Sequence, residues 1–131
     1  MTTPAITVPR STSLPDTDAL MRQHNIRRLP VVDDYGKLVG IVSRSDVREA
    51  QPSDATTLSI YELNYLLAKL TVDRVMTHPV LTVTPETTVA EAASLMLEHK
   101  LGGLPVMNGA KVIGIITESD IFRMVVKLYA E

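Results

Sequence analysis

Residues 37–46 read Lys-Leu-Val-Gly-Ile-Val-Ser-Arg-Ser-Asp, and residues 111–120 read Lys-Val-Ile-Gly-Ile-Ile-Thr-Glu-Ser-Asp. Both stretches carry a glycine, two apolar residues, a hydroxyl residue and an aspartate in the same order. An apolar run that ends in a hydroxyl residue, with an acid three positions later, predicts a buried strand followed by a capped helix. One strand-helix element therefore occurs twice, and it decides the fold.

The similarity extends towards the amino terminus of each copy. Met1-Thr-Thr-Pro-Ala-Ile-Thr-Val8 aligns with Met76-Thr-His-Pro-Val-Leu-Thr-Val83, and Leu29-Pro-Val31 aligns with Leu104-Pro-Val106. Each copy predicts an extended segment, an amphipathic helix, a hairpin and a last helix. The predicted ranges are 6–8, 14–24, 29–42 and a helix from 43 in the first copy, and 81–83, 89–99, 104–116 and a helix from 117 in the second.

The repeat predicts the domain organisation. Repeat 1 spans 1–50, repeat 2 spans 71–131, and 51–70 is a linker with turn-forming residues at 51–57 and helical spacing of Leu and Tyr after them. A unit of about 50 residues buries too little surface to be stable alone. We therefore expect an α/β (α+β) fold in which two β-α-β-β-α repeats pack on each other about a pseudo-twofold axis.

Composition excludes several classes of protein. Thirteen basic and 15 acidic residues give a net charge of −2, which disfavours partners such as nucleic acid or anionic membranes. There is no cysteine, and three dispersed histidines do not replace it, so we expect no metal site. The apolar runs are too short to span a bilayer and the amino terminus lacks a leader pattern. These features predict a cytoplasmic protein.

The tandem arrangement resembles the cystathionine β-synthase (CBS) domain pair, on Leu29-Pro-Val31 with Gly40-Ile-Val-Ser-Arg-Ser-Asp46 and on Leu104-Pro-Val106 with Gly114-Ile-Ile-Thr-Glu-Ser-Asp120. The linker and the carboxy-terminal segment are also similar to stand-alone pairs of the acetoin-utilisation type. The resemblance implies a regulatory module that binds an adenosyl compound in clefts between the repeats and forms a homodimer. It allows bound AMP, ADP, ATP or S-adenosylmethionine without a required cofactor, and it leaves room for an unknown effector protein.

The resemblance also implies which residues bind the ligand. The aspartate of each final motif would hold the ribose hydroxyls, the hydroxyl residue would lie near phosphate, and the segments that open each repeat would line the base. The expected ligand-binding residues are Ala5, Ile6, Arg27, Arg28, Pro30, Ser43, Arg44 and Asp46 in the first copy, and Val80, Leu81, Gly102, Gly103, Pro105, Thr117, Ser119 and Asp120 in the second.

Two interpretations of the final motifs stay open. Ser43 with Asp46, and Thr117 with Asp120, could simply cap helices, or the same groups could accept hydrogen bonds from a ribose diol. Arg27 and Arg28 stand where the second copy has Gly102-Gly103, which predicts that the first cleft prefers a phosphorylated ligand.

Other functions of the whole chain are also open at this point. If the motifs only cap helices, the protein is a dimerisation scaffold that binds no ligand. A third class is nucleic-acid binding through the arginines of the first half, which the acidic isoelectric point disfavours; they are Arg10, Arg22, Arg27, Arg28, Arg44 and Arg48. No catalytic triad, phosphate-binding glycine loop or isolated carboxylate pair is present, so we expect no enzymatic activity.

Overall fold

A computed structural model describes residues 5–50 and 59–130, apart from the side chains of residues 63, 64, 66 and 67. These residues form two compact units. The amino-terminal unit is Thr7–Pro79, and the carboxy-terminal unit combines residues 5–6 with residues 80–130. Within the described ranges, no helix is long and apolar enough to cross a membrane.

The amino-terminal unit has a three-stranded sheet in the order β1 (Val8–Pro9), β2 (Arg28–Val32) and β3 (Leu38–Ser43). Strand β1 is parallel to β2, and β2 is antiparallel to β3. Three helices accompany the sheet: α1 (Leu14–His24), α2 (Arg44–Glu49) and α3 (Ile60–Lys69). The buried apolar side chains of this unit are those of Val8, Leu14, Met21, Leu29, Val31, Val42, Val47 and Val72.

Residues 70–77, which we call the connector, lie along the amino-terminal unit. The connector contains a 3-10 turn, Val72–Arg74, and the Val72 side chain is fully buried. Val72 N–H donates to the Thr12 carbonyl (2.8 Å), and Leu14 N–H donates to the Leu70 carbonyl (3.0 Å). Further along, Thr77 and Ile41 exchange two backbone hydrogen bonds of 2.8 and 3.0 Å. The connector therefore contributes backbone pairing and a core side chain to this unit.

The carboxy-terminal unit has a two-stranded antiparallel sheet, β4 (Gly103–Asn108) with β5 (Lys111–Thr117). Helix α4 (Val89–His99) precedes the sheet and helix α5 (Glu118–Tyr129) follows it. The core contains Val83, Ala92, Met96, Leu104 and Val106, and half-buried apolar residues such as Ile113 and Ile121 pack against it.

The mixed α/β class and the predicted helices and hairpins are confirmed. Helices α1 and α4 begin after capping hydroxyls at Ser13 and Thr88, each of which accepts the backbone N–H three residues later. Gly36 (φ +78°) and Gly109 (φ +61°) lie in the two hairpin turns, where a left-handed conformation favours glycine. The linker helix is α3, whereas the loop predicted at 51–57 and its neighbour Leu58 lie outside the described residues.

The predicted extended segments differ from the observed ones. In the first copy the strand is Val8–Pro9 and not 6–8, and in the second copy only Val83 forms a bridge, with Val106. Strand pairing needs a neighbouring backbone within hydrogen-bond reach, which the apolar pattern alone does not indicate. The final strands are also less buried than expected, since β3 alternates between buried and half-buried positions over Gly40–Ser43.

Candidate functional site

The first predicted motif lies at the junction of β3 and α2. Ser43 is the N-cap of α2; its Oγ accepts the Asp46 N–H (3.1 Å), and Asp46 Oδ2 accepts the Ser43 N–H (2.8 Å). This reciprocal pair is a capping box, which holds both side chains in fixed positions. Ser43 and Asp46 are half-buried, so neither is withdrawn from solvent.

Three arginines surround this junction. Arg28 is the residue opposite Ser43 in the β2–β3 ladder, and Arg44 N–H donates to the Arg27 carbonyl (2.8 Å). Arg27 and Arg44 are exposed and Arg28 is half-buried. The structure therefore brings together five of the residues predicted from the first copy, namely Arg27, Arg28, Ser43, Arg44 and Asp46.

The second predicted motif has the same backbone arrangement at the junction of β5 and α5. Asp120 Oδ2 accepts the Thr117 N–H (2.9 Å) and the Thr117 hydroxyl (3.1 Å). Gly103 lies opposite Thr117 in the ladder, and Glu118 N–H donates to the Gly102 carbonyl (3.1 Å). Glycines thus occupy the places of Arg27 and Arg28, and Glu118 occupies the place of Arg44.

An ion pair distinguishes the second motif from the first. Arg123 Nη1 lies 3.1 Å from Asp120 Oδ1, so the carboxylate that caps α5 also binds a guanidinium. This ion pair was not predicted from the sequence, although an acid and a base three positions apart on a helix are a known signal for one. The first copy has Glu49 at the position of Arg123.

The remaining predicted residues are placed as follows. Pro30 and Pro105 are fully buried, opposite Ile41 and Ile115 in their hairpins. Ser119 is exposed at the start of α5. The residues predicted to line a base all belong to the carboxy-terminal unit: Ala5, Ile6 and Val80 are half-buried, and Leu81 is exposed. Their contact with a ligand remains a prediction.

The histidines do not form a metal centre in the part of the chain that the structure describes. No group of three or more histidine, aspartate or glutamate side chains there is arranged to hold a metal ion. His24 and His99 are the last residues of α1 and α4 and are exposed, and His78, which directly follows the connector, is also exposed.

The geometry defines a class of protein with two copies of one strand-helix motif, each with a hydroxyl and a carboxylate locked in a capping box. Comparison with known families agrees, because the CBS domain model matches residues 1–53 and 72–127. The chain belongs to the CBS domain family.

The chain is similar to part of the length of several curated relatives. An uncharacterized protein of Methanocaldococcus jannaschii is 34% identical over 131 residues, which is 98% of this chain and 31% of the relative. The L-aspartate semialdehyde sulfurtransferase of the same organism is 31% identical over 92% of this chain and 21% of its own length. A CBS domain-containing protein of Dictyostelium discoideum is 33% identical over 82% of this chain and 75% of its length. This chain thus spans less than a third of the first two relatives.

Solved structures share the fold over nearly the whole chain. A CBS domain pair in complex with 5'-methylthioadenosine and S-adenosyl-L-methionine has a TM-score of 0.81 and 29% identity, and the match covers 98% of this chain and 93% of that one. CBSX2, whose curated sequence is from Arabidopsis thaliana, is in complex with AMP; its TM-score is 0.76 and its identity 33%, with 98% and 93% covered. AcuB from Vibrio cholerae, assigned to acetoin utilization, has a TM-score of 0.77 and 35% identity, with 98% and 87% covered.

Proposed function

We propose that this protein is a regulatory module that binds an adenosyl compound and transmits binding as a change in conformation or in dimer packing. The observation that carries the proposal is the duplicated motif, Ser43 with Asp46 and Thr117 with Asp120, each held by a capping box. Solved relatives of the same fold bind AMP, or 5'-methylthioadenosine and S-adenosyl-L-methionine, which supports the ligand class.

Capping does not compete with ligand binding. A carboxylate has about four positions at which it accepts hydrogen bonds. The capping bond engages Oδ2 of Asp46, and among the described residues no hydrogen bond engages Oδ1 of the same carboxylate, so Oδ1 can accept one from a ribose hydroxyl. The capping box would then preorganise the carboxylate for binding, because the side chain loses little rotamer freedom when a ligand binds. At Asp46, the two interpretations of the motif, helix cap and ribose contact, are therefore compatible.

In this proposal the protein acts through the free energy of ligand binding and catalyses no reaction. A ligand shifts a conformational equilibrium only by its difference in affinity for the two states. Relatives that are enzymes extend far beyond the region that matches this chain, and this chain covers 21% of the sulfurtransferase. We place the module in the cytoplasm and expect an effector protein to respond to it.

We further propose that the module is a homodimer that pairs through α5. Helix α5 buries none of its 12 residues within the chain, and an apolar cleft of about 480 Å³ lies between α4 and α5. The exposed large apolar side chains of α5 are Phe122, Met124, Val125, Val126, Leu128 and Tyr129. Contiguous exposed apolar patches on soluble proteins mark interaction sites, and a twofold interface would let α5 cover its own counterpart.

A dimerisation scaffold without a ligand is the second candidate. The complete capping boxes favour it, because they account for both hydroxyl-aspartate pairs with protein hydrogen bonds alone. In a scaffold, replacing Asp46 would change the stability of the protein and nothing else.

A thermal-shift panel with adenosine, AMP, ADP, ATP and S-adenosylmethionine separates the two candidates. A ligand at 100 times its Kd stabilises the folded state by about 2.7 kcal/mol, which raises Tm by several degrees in a chain of this length. We expect a rise with at least one compound and its loss or reduction in Asp46→Asn or Asp120→Asn. Asp16→Asn is the matched control, since Asp16 lies in the first turn of α1, outside both motifs. A flat panel would refute ligand sensing.

A further inference from the structure

The two motifs have the same backbone arrangement and opposite local charge. Around Ser43 and Asp46, the residues at the strand end and at the helix start are Arg27, Arg28 and Arg44. Around Thr117 and Asp120, the residues at the corresponding places are Gly102, Gly103 and Glu118. Three guanidinium groups at one motif thus correspond to two glycines and one carboxylate at the other.

Backbone contacts fix these correspondences. Arg28 faces Ser43 in one ladder as Gly103 faces Thr117 in the other. The N–H of Arg44 donates to the carbonyl of Arg27, as the N–H of Glu118 donates to the carbonyl of Gly102. The charge difference therefore arises at equivalent points of the two units and is not an accident of sequence alignment.

The arginines are available to an outside anion. Arg27 and Arg44 are exposed and Arg28 is half-buried, and across residues 5–50 and 59–130 the structure shows no ion pair for these three side chains. At the second motif the cation is already engaged, because Arg123 binds the Asp120 carboxylate at 3.1 Å. Guanidinium groups that make no ion pair within the described residues can bind a phosphate through charge-assisted hydrogen bonds.

We propose that the two motifs select adenosyl ligands of different charge. The Asp46 motif takes a phosphorylated adenosine nucleotide, whose phosphate contacts Arg27, Arg28 and Arg44. The Asp120 motif takes an adenosyl compound without phosphate, neutral or cationic, because Glu118 repels a phosphate placed there and attracts a sulfonium or an amine. This inference rests on the proposed function, since it assumes that the motifs bind adenosyl compounds.

Calorimetric titration of AMP and adenosine into site-isolating variants tests the assignment. Asp120→Asn leaves the Asp46 motif intact, and Asp46→Asn leaves the Asp120 motif intact. We expect AMP to bind the first variant at least tenfold more tightly than adenosine does, and the second variant no more tightly than adenosine does.

Charge substitutions then assign the effect to residues. In the Asp120→Asn background, Arg27→Gln with Arg28→Gln should weaken AMP about 10- to 100-fold, the range for lost hydrogen bonds to a charged group, and change adenosine less than about threefold. Arg10→Gln with Lys37→Gln is the matched control, because it removes the same charge from the hairpin end of the sheet. That end is about 16 Å from Ser43 along β3, beyond the screening length of about 8 Å at physiological salt. The control should leave both affinities unchanged.

A reciprocal exchange completes the test. Arg44→Glu should lower the AMP preference of the first motif, and Glu118→Arg should raise it at the second. Equal losses of AMP and adenosine in the Arg27 and Arg28 double variant, or an equal AMP preference at both motifs, would overturn the charge assignment while adenosyl binding stands. Absence of binding by adenosine, AMP and S-adenosylmethionine to the unmodified protein would overturn the proposed function, and this inference with it.

Discussion

Gly40→Ala should destabilise the protein through one identifiable contact. Gly40 lies in β3, and the Met76 side chain of the connector covers it. A Cβ atom at residue 40 would lie 2.3 Å from the Met76 sulfur, 2.8 Å from its Cγ and 3.2 Å from its Cβ. The first two distances are far below normal contact, so Met76 must move out of its place.

The size of the effect follows from two opposing contributions. Overpacking of this kind costs about 1–3 kcal/mol, whereas alanine in place of glycine in a strand recovers about 0.4–1 kcal/mol through the unfolded chain. The single variant should therefore lose up to about 2.6 kcal/mol in the free energy of unfolding, with about 1.3 kcal/mol at the middle of both ranges. In a Met76→Ala background the sulfur and Cγ are gone, and Gly40→Ala should be neutral or slightly stabilising.

Urea unfolding of the four proteins, the parent, both single variants and the double variant, measures the coupling between the two positions. Gly36→Ala serves as a control: Gly36 has φ +78° and open space around its Cα, so its cost comes from the backbone and should not depend on residue 76. If Gly40→Ala costs the same free energy of unfolding, within about 0.5 kcal/mol, with and without the Met76 side chain, then contact with Met76 is not the cause of the loss.

Three further outcomes follow from the structure. Ser43→Ala should lower the unfolding free energy by about 1 kcal/mol in the absence of ligand, since it removes the N-cap of α2; an unchanged midpoint would contradict the cap. The N–H of Lys37, and then that of Tyr35, lowers the pKa of Asp33 below 3.8. The resulting stabilisation is present above about pH 4 and is lost as the pH falls through the lowered pKa. The Tm difference between the parent and Asp33→Asn should therefore shrink between pH 7 and pH 3, and a constant difference would argue against it. Phe122→Ser with Val126→Ser should shift the protein towards monomer in sedimentation equilibrium, whereas an unchanged mass would exclude α5 as the dimer surface.

The helices and hairpins were predictable because local signals specify them. Ser13 and Thr88 mark helix starts, and the glycines at 36 and 109 mark tight turns, so the starts of α1 and α4 and the positions of the two hairpin turns follow from the chain itself. Strand β1 was misplaced because its pairing with β2 depends on residues about 23 positions away. The residues of a short extended segment do not indicate which strand it pairs with.

The candidate site was predictable as a list of residues and less so as a set of contacts. The hydroxyl and aspartate of each motif form the capping box that their spacing predicts. The ion pair of Arg123 with Asp120 depends on a choice of side-chain rotamer, and the cover of Met76 over Gly40 depends on the path of the connector. A pattern of residue types predicts neither the rotamer of a side chain nor the path of a connecting segment.

The position of the connector has a consequence for dissecting the protein. The repeat in the sequence restarts near residue 71, yet Val72 is a core side chain of Thr7–Pro79, and residues 5–6 group with 80–130. The boundary between the sequence repeats and the boundary between the packed units therefore differ by several residues. A chain cut after residue 70 would leave a hole where Val72 was and open the backbone bonds to Thr12 and Ile41. A chimera that exchanges repeats with another protein should place its junction after Pro79, so that Val72 and the connector stay with the core that they complete.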